Sequence, residues 1–150
     1  MKKFIQNFDR VILGFIKKYN ILFARLAIFL VYFWFGILKL FGQSPASPLV
    51  QSLLTKTLPF MSFNTFIILF ALFEMLIGIL FLIHGAERLV VALLVLHLIT
   101  TCIPLFLLPQ ITWTGFLIPT LEGQYIIKNV LIIALAFVIV SQKDFLTSKE

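Results

Sequence analysis

Residues 65–83 read TFIILFALFEMLIGILFLI. At 1.5 Å per residue, a helix of this length crosses a hydrocarbon core about 30 Å thick. A helix that is apolar on every side belongs either in a large core or in lipid. The whole chain points to lipid. It has 150 residues, 61% of them hydrophobic and only 12% charged, with 18 Phe; soluble domains run at roughly half apolar and about a quarter charged. The stretch is therefore read as a membrane span, and its one charged side chain, Glu74, sits near the middle.

Three further apolar stretches flank it, giving spans at 21–41, 65–83, 89–108 and 124–140. The turn His84-Gly85-Ala86-Glu87-Arg88 is short, so the second and third spans are antiparallel neighbours. Pro104 predicts a kink near the far end of the third. Residues 42–62, GQSPASPLVQSLLTKTLPFMS, carry three prolines and several hydroxyls; they read as a structured loop with a short helix over 49–55. Residues 109–123 form a second loop. Upstream, residues 1–20 place Phe4, Phe8, Val11, Ile12 and Phe15 on one helical face and Lys3, Asn7, Arg10, Lys17 and Lys18 mostly on the other. That pattern fits an amphipathic helix lying in the membrane interface, or equally one packed on the end of the bundle. It does not resemble a cleavable signal peptide. The expected architecture is an all-α membrane protein. An interfacial helix (1–20) precedes an antiparallel bundle of four transmembrane helices (21–140), and a polar tail (141–150) follows.

Lys2, Lys3, Arg10, Lys17, Lys18, Arg88, Lys143 and Lys149 all fall beside the termini or the 84–88 turn, whereas the two long loops hold only Lys56. The positive-inside rule places both termini in the cytoplasm, as in a multi-pass protein of the bacterial inner membrane. The net charge of +6 is thereby assigned to anionic headgroups, and nucleic-acid binding is not expected. Cys102 is the only cysteine, which excludes an internal disulfide or a CxxC redox pair.

A charged group at bilayer depth costs on the order of 3 kcal/mol on insertion scales, so Glu74 calls for a partner inside the protein. Ala71 and Gly78 share its face and allow another helix to approach. Lys39 and Lys128 both lie near the outer ends of their spans. Helical side chains tilt toward the helix N-terminus, so Lys39 leans inward to the depth of Glu74 while Lys128 leans out toward the loops. Lys39 is the better partner by direction; snorkelling to the headgroups is the alternative for both lysines. Arg25, at the start of the first span, is read as snorkelling, although Tyr32 lies between it and Lys39 on nearly the same face. His97 is read as a hydrogen-bonded core residue or a proton relay. With no second His at i+4 and no acidic neighbour, it does not suggest a metal site. Trp34 is too deep for the interfacial belt and is expected inside the bundle or lining a pocket. Asn129 is expected to hydrogen-bond across helices, and Trp113 to sit at the interface.

Four stretches together resemble the DoxX family of small bacterial membrane proteins: Phe33-Trp34-Phe35-Gly36-Ile37-Leu38-Lys39, SPASPLV at 44–50, Phe73-Glu74-Met75-Leu76-Ile77-Gly78, and PTLEGQYIIKN at 119–129. The resemblance implies a four-helix membrane domain and carries the family's aromatic-Gly-x-x-Lys, Glu-x-x-x-Gly and Tyr-x-x-Lys-Asn positions onto Lys39, Glu74, Tyr125, Lys128 and Asn129. It also implies association with thiosulfate:quinone oxidoreductase or oxidative-stress complexes, without fixing a reaction. Three functions follow as expectations. The first is a quinone-linked redox subunit, not catalytic alone, in which Trp34, phenylalanines and Lys39 line a quinone pocket, Glu74 or Lys128 handles protons, and a partner subunit carries the electrons. The second is a proton-coupled small-molecule carrier, which at this length requires a homo-oligomer. The third is a membrane scaffold whose Glu74–Lys39 pair sets helix register.

Overall fold

The computed structural model describes residues 2–147, with side chains described over 6–142. The elements run α1 (Lys2–Leu40), α2 (Ser47–Thr57), α3 (Phe63–Leu82), α4 (Glu87–Cys102), α5 (Pro104–Leu107), α6 (Pro109–Thr112), β1 (Trp113–Gly115), β2 (Ile118–Pro119) and α7 (Leu121–Thr147). Four helices are long and apolar enough to cross a membrane: Gln6–Leu40, Phe63–Leu82, Glu87–Leu107 and Leu121–Gln142. The protein is a multi-pass, all-α membrane protein of four antiparallel spans, and the short β1–β2 hairpin is its only sheet among the described residues. The α3–α4 connection closes one end of the bundle, here the turn end; α2, α5, α6 and the hairpin cap the other, the loop end.

Several boundaries differ from those read from sequence. Residues 2–20 do not form a separate helix. α1 continues through Asn20 without interruption, because no Gly or Pro lies between Phe15 and Phe35 to break it. Its side chains at 6–18 are exposed on every face. Phe4, Lys2, Lys3, Lys143 and Lys149 lie outside the described side chains. α2 is longer than 49–55, with Pro48 in its first turn, where a missing N–H is harmless. The third span carries its interruption where Pro104 predicts a kink: Ile103 is a turn residue with helical φ and ψ, and the span runs on through α5 to Leu107. α7 starts three residues earlier than expected because the Thr120 hydroxyl accepts from Gly123 N at 3.2 Å and caps the helix. It also runs on to Thr147 through residues assigned to the tail.

Packing is closest between α1 and α3. A Cβ placed on Gly36 would stand 2.9 Å from the Ala71 carbonyl oxygen and 2.5 Å from Met75 Cγ, and one on Gly78 would stand 3.2 Å from Phe29 O and Phe33 N. Small residues on both helices thus let the two backbones meet, as small-xxx-small patterns do in lipid. The core around this seam is made of Ala24, Ile28, Tyr32, Ile77, Phe81, Val90, Leu94, Ala136 and Ile139. Most other large apolar side chains face outward, the inverse of a soluble domain and the arrangement a lipid solvent demands.

Candidate functional site

Tyr32, Lys39, Glu74 and His97 converge inside the bundle from α1, α3 and α4. Lys39 Nζ donates to Glu74 Oε2 at 2.6 Å. The other carboxylate oxygen, Oε1, lies 3.1 Å from His97 Nε2, and His97 Nδ1 lies 3.3 Å from the Tyr32 hydroxyl. All four residues are buried, Glu74 to 6% exposure. A carboxylate only accepts and a phenol can donate, so the Nε2–H tautomer of His97 satisfies both neighbours at once. The hydrogen-bond chain then runs Tyr32 O–H to Nδ1, Nε2–H to Oε1, and Lys39 N–H to Oε2. One basic side chain, Lys39, thus faces one acidic side chain, Glu74, with the imidazole and the phenol in line behind it.

Aromatic rings complete the enclosure. Phe70 stacks on the His97 ring with centroids 5.2 Å apart and planes at 14°, and its face lies 5.5 Å from Lys39 Nζ. Phe70 is one helical turn before Glu74, so a single helix supplies both the carboxylate and the ring beneath its two donors. Such a ring gives the buried ammonium a cation–π contact. Thr100 Oγ1 donates back to the His97 carbonyl at 2.7 Å; it belongs to the helix rather than to the cluster.

The remaining candidates lie elsewhere. Trp34 is 56% exposed on the outer face of α1; two residues from Tyr32, it points away from the seam, so the pocket expected from Trp34 and Lys39 together does not form. Tyr125 is 62% exposed. Lys128 is exposed beside it, its Nζ 5.5 Å from the Tyr125 ring, the posture of a lysine snorkelling along its own helix. Asn129 is half-buried and takes no part in the cluster. One internal site therefore unites Tyr32, Lys39, Glu74 and His97, while Trp34, Tyr125, Lys128 and Asn129 stand outside it. A cavity of about 220 Å³ lies apart from the cluster, between α2 and the start of α3, bordered by Leu54, Leu58, Pro59 and Met61.

A second buried ion pair was not foreseen. Arg25 does not snorkel: its Nη2 donates to Glu87 Oε1 at 2.6 Å and its Nη1 to the Phe81 carbonyl at 2.9 Å. Glu87 Oε2 in turn accepts from Gly85 N at 2.9 Å, which ties the α3–α4 turn to α1. Gly85 holds φ at 97°, a conformation that suits glycine. A signal was present in the sequence: Arg25, Tyr32 and Lys39 repeat every seven residues and so share one face of α1, with Glu87 opening the helix opposite Arg25. Polar groups therefore cross the bundle at two levels, with Ile28, Ile77, Phe81 and Leu94 between them.

Among the described residues no group of three or more His, Cys, Asp and Glu side chains is arranged to hold a metal ion. The chemistry available to the main cluster is proton exchange. His97 can take a proton at Nδ1, forming an imidazolium beside the Glu74 carboxylate, and then release the other proton from Nε2 to Glu74 Oε1, which returns the ring to neutral; Tyr32 extends the chain by one donor. No family model, curated protein or solved structure matches this chain, so the hydrogen-bonded quartet is the observation from which its function has to be read.

Proposed function

We propose that the protein is a DoxX-like subunit of the bacterial cytoplasmic membrane that serves a quinone-linked redox or oxidative-stress complex by holding a proton within the bilayer, while a partner oxidoreductase subunit carries the electrons. The observation that supports this reading is the unbroken sequence of donors and acceptors from Tyr32 through His97 and Glu74 to Lys39. Quinone reduction couples electrons to protons, and an imidazole backed by a carboxylate is a group suited to relaying them. Tyr32 and Lys39 are seven residues apart on α1, so the chain of bonds rises about 10 Å along the helix. The orientation proposed sets the turn end, with Arg10, Lys17, Lys18 and Arg88, in the cytoplasm. Because Trp34 lies on the outside, quinone is met at the lipid-facing surface or on the partner rather than in a pocket within the bundle.

One observation favours a second reading. Both oxygens of Glu74 are occupied, and two buried pairs stitch α1 to α3 and to α4 at different levels, as a scaffold that fixes helix register requires. A single experiment separates the two. The protein and its Glu74→Gln variant are purified with native partners, and partner recovery, bound quinone by native mass spectrometry and quinone-dependent turnover of the complex are compared. Full partner recovery with turnover lost supports the proton role. Lost recovery supports the scaffold. Unchanged recovery and turnover eliminate both.

A further inference from the structure

We propose that the β1–β2 hairpin at the loop end is a membrane finger, inserting Phe116 and Leu117 among the lipids of the adjacent leaflet. From Leu89 to Leu121 the chain has no Asp, Glu, Lys or Arg, although this stretch includes a whole interhelical connection. Within it Phe106, Phe116, Leu117, Ile118 and Leu121 are all exposed, Phe116 at 91% and Leu117 at 72%. A water-facing connection of this composition would be unusual, since loops between spans normally present polar side chains to solvent.

Apart from the exposed Gln110, the hydroxyls and the indole of the loop bond to its own carbonyls. Thr112 Oγ1 donates to Leu108 O at 3.1 Å, Thr114 Oγ1 to Ile118 O at 3.1 Å, and Thr120 Oγ1 to Ile111 O at 2.8 Å. The Trp113 indole donates to Leu105 O at 2.9 Å. The backbone pairs with itself as well: Trp113 stands opposite Pro119 and Gly115 opposite Ile118, and Thr120 N donates to Thr112 O at 3.0 Å. Pairing of the threonine hydroxyls, the indole and the strand backbone within the segment, with apolar side chains outside, lowers the cost of placing non-helical chain against lipid. Leu117 adopts φ of 57°, a left-handed conformation unfavourable for leucine, and the turn it makes leaves two large apolar residues side by side at the tip. Gly123 seats the hairpin on α7, because a Cβ there would run into the Thr112 carbonyl oxygen.

Lipid is the occupant these facts select. A protein-docking patch has an apolar centre and a polar rim. Along the sequence the exposed apolar residues run from Leu96 and Ile99 of α4 through Phe106 to the hairpin tip with no charged residue among them, and Lys56 of α2 meets this stretch at its α5 margin, where its Nζ donates to Leu107 O at 2.9 Å.

The test places a nitroxide on Phe116→Cys, or separately on Ile118→Cys, in a Cys102→Ala background, with the protein reconstituted in phosphatidylcholine–phosphatidylglycerol vesicles. Collision with oxygen, which concentrates in acyl chains, is compared with collision with a neutral nickel chelate, which stays in water. Thr57→Cys on α2 serves as the aqueous reference. Both hairpin labels are expected to favour oxygen several-fold over nickel, with the reverse ratio at Thr57. Free access of nickel to both hairpin labels overturns the proposal in favour of a solvated loop. Protection from both reagents also overturns it. Dipolar broadening would then identify a second copy as the cover, and its absence would place the tip against the protein itself.

Discussion

Replacing Lys39 with methionine keeps the length of the side chain and removes the ammonium from Glu74 Oε2, 2.6 Å away. Glu74 lies eight residues from Leu82 and eleven from Phe63, the two ends of α3. Its carboxylate is therefore about 12–16 Å from either end at the helical rise and cannot reach water by snorkelling. Removing one partner of a buried pair costs about 3–5 kcal/mol. The loss is bounded by the work of protonating a free carboxyl at pH 7, about 4 kcal/mol, since a stranded carboxylate can neutralise itself. Lys39→Met should accordingly destabilise the bundle by about 3–4 kcal/mol. Glu74→Gln should cost less, about 1–2 kcal/mol, because Lys39 is one residue from the end of α1 and its ammonium can swing to the headgroups. The double variant strands no charge and should stay within about 1–2 kcal/mol of the parent, leaving a coupling of about 3 kcal/mol. Reversible unfolding by SDS titration in mixed micelles, followed by circular dichroism, measures all four proteins. Uncharged polar pairs between membrane helices couple by only about 0.6 kcal/mol on average, so the result discriminates. A measured coupling at or below about 1 kcal/mol would refute the buried ion pair and leave a neutral carboxyl in its place.

Three further outcomes follow from the same geometry. Gly36→Ala should destabilise by about 1–3 kcal/mol, since the Ala71 carbonyl it meets is backbone and cannot rotate away; Gly14→Ala, with nothing within 4 Å, should be neutral or gain up to about 1 kcal/mol of helix propensity in the same titration. Arg25→Met removes the guanidinium from the buried Glu87 carboxylate and should cost about 3 kcal/mol or more, whereas Arg10→Met on the exposed stretch of α1 should stay within about 0.5 kcal/mol. If the two arginine variants behave alike, Arg25 is a headgroup ligand after all. Tyr32→Phe deletes only the 3.3 Å bond to His97 and should cost about 0.5–1.5 kcal/mol; it should also shift the imidazole resonances of His97 in NMR spectra, which a hydroxyl without contact would leave in place.

What could be read without coordinates was whatever depends on local composition or on the direction of a helix. Span number, the tight α3–α4 turn and the small face around Glu74 are of this kind, as is the inward lean of Lys39, which follows from chain direction and side-chain tilt. The helix ends were less legible. The Thr120 cap and the continuation of α7 depend on single hydrogen bonds and on the absence of breakers, and apolar length alone does not mark them. Trp34 was misplaced because depth along a helix says nothing of azimuth: it is as deep as the cluster but on the other face.

Residues 65–83, read with the composition of the whole chain, determined that the chain lives in a membrane and that a carboxylate is carried into it, because transfer of apolar surface and charge is additive along a segment and indifferent to neighbours. Beyond Lys39, the tertiary structure alone decided which groups answer that carboxylate. His97 and Tyr32 come to Glu74 from α4 and α1, and Glu87 comes to Arg25 from across a turn, with separations in sequence that no period spans. Such partnerships depend on how far and at what angle helices are allowed to approach, and here Gly36, Ala71 and Gly78 set that approach.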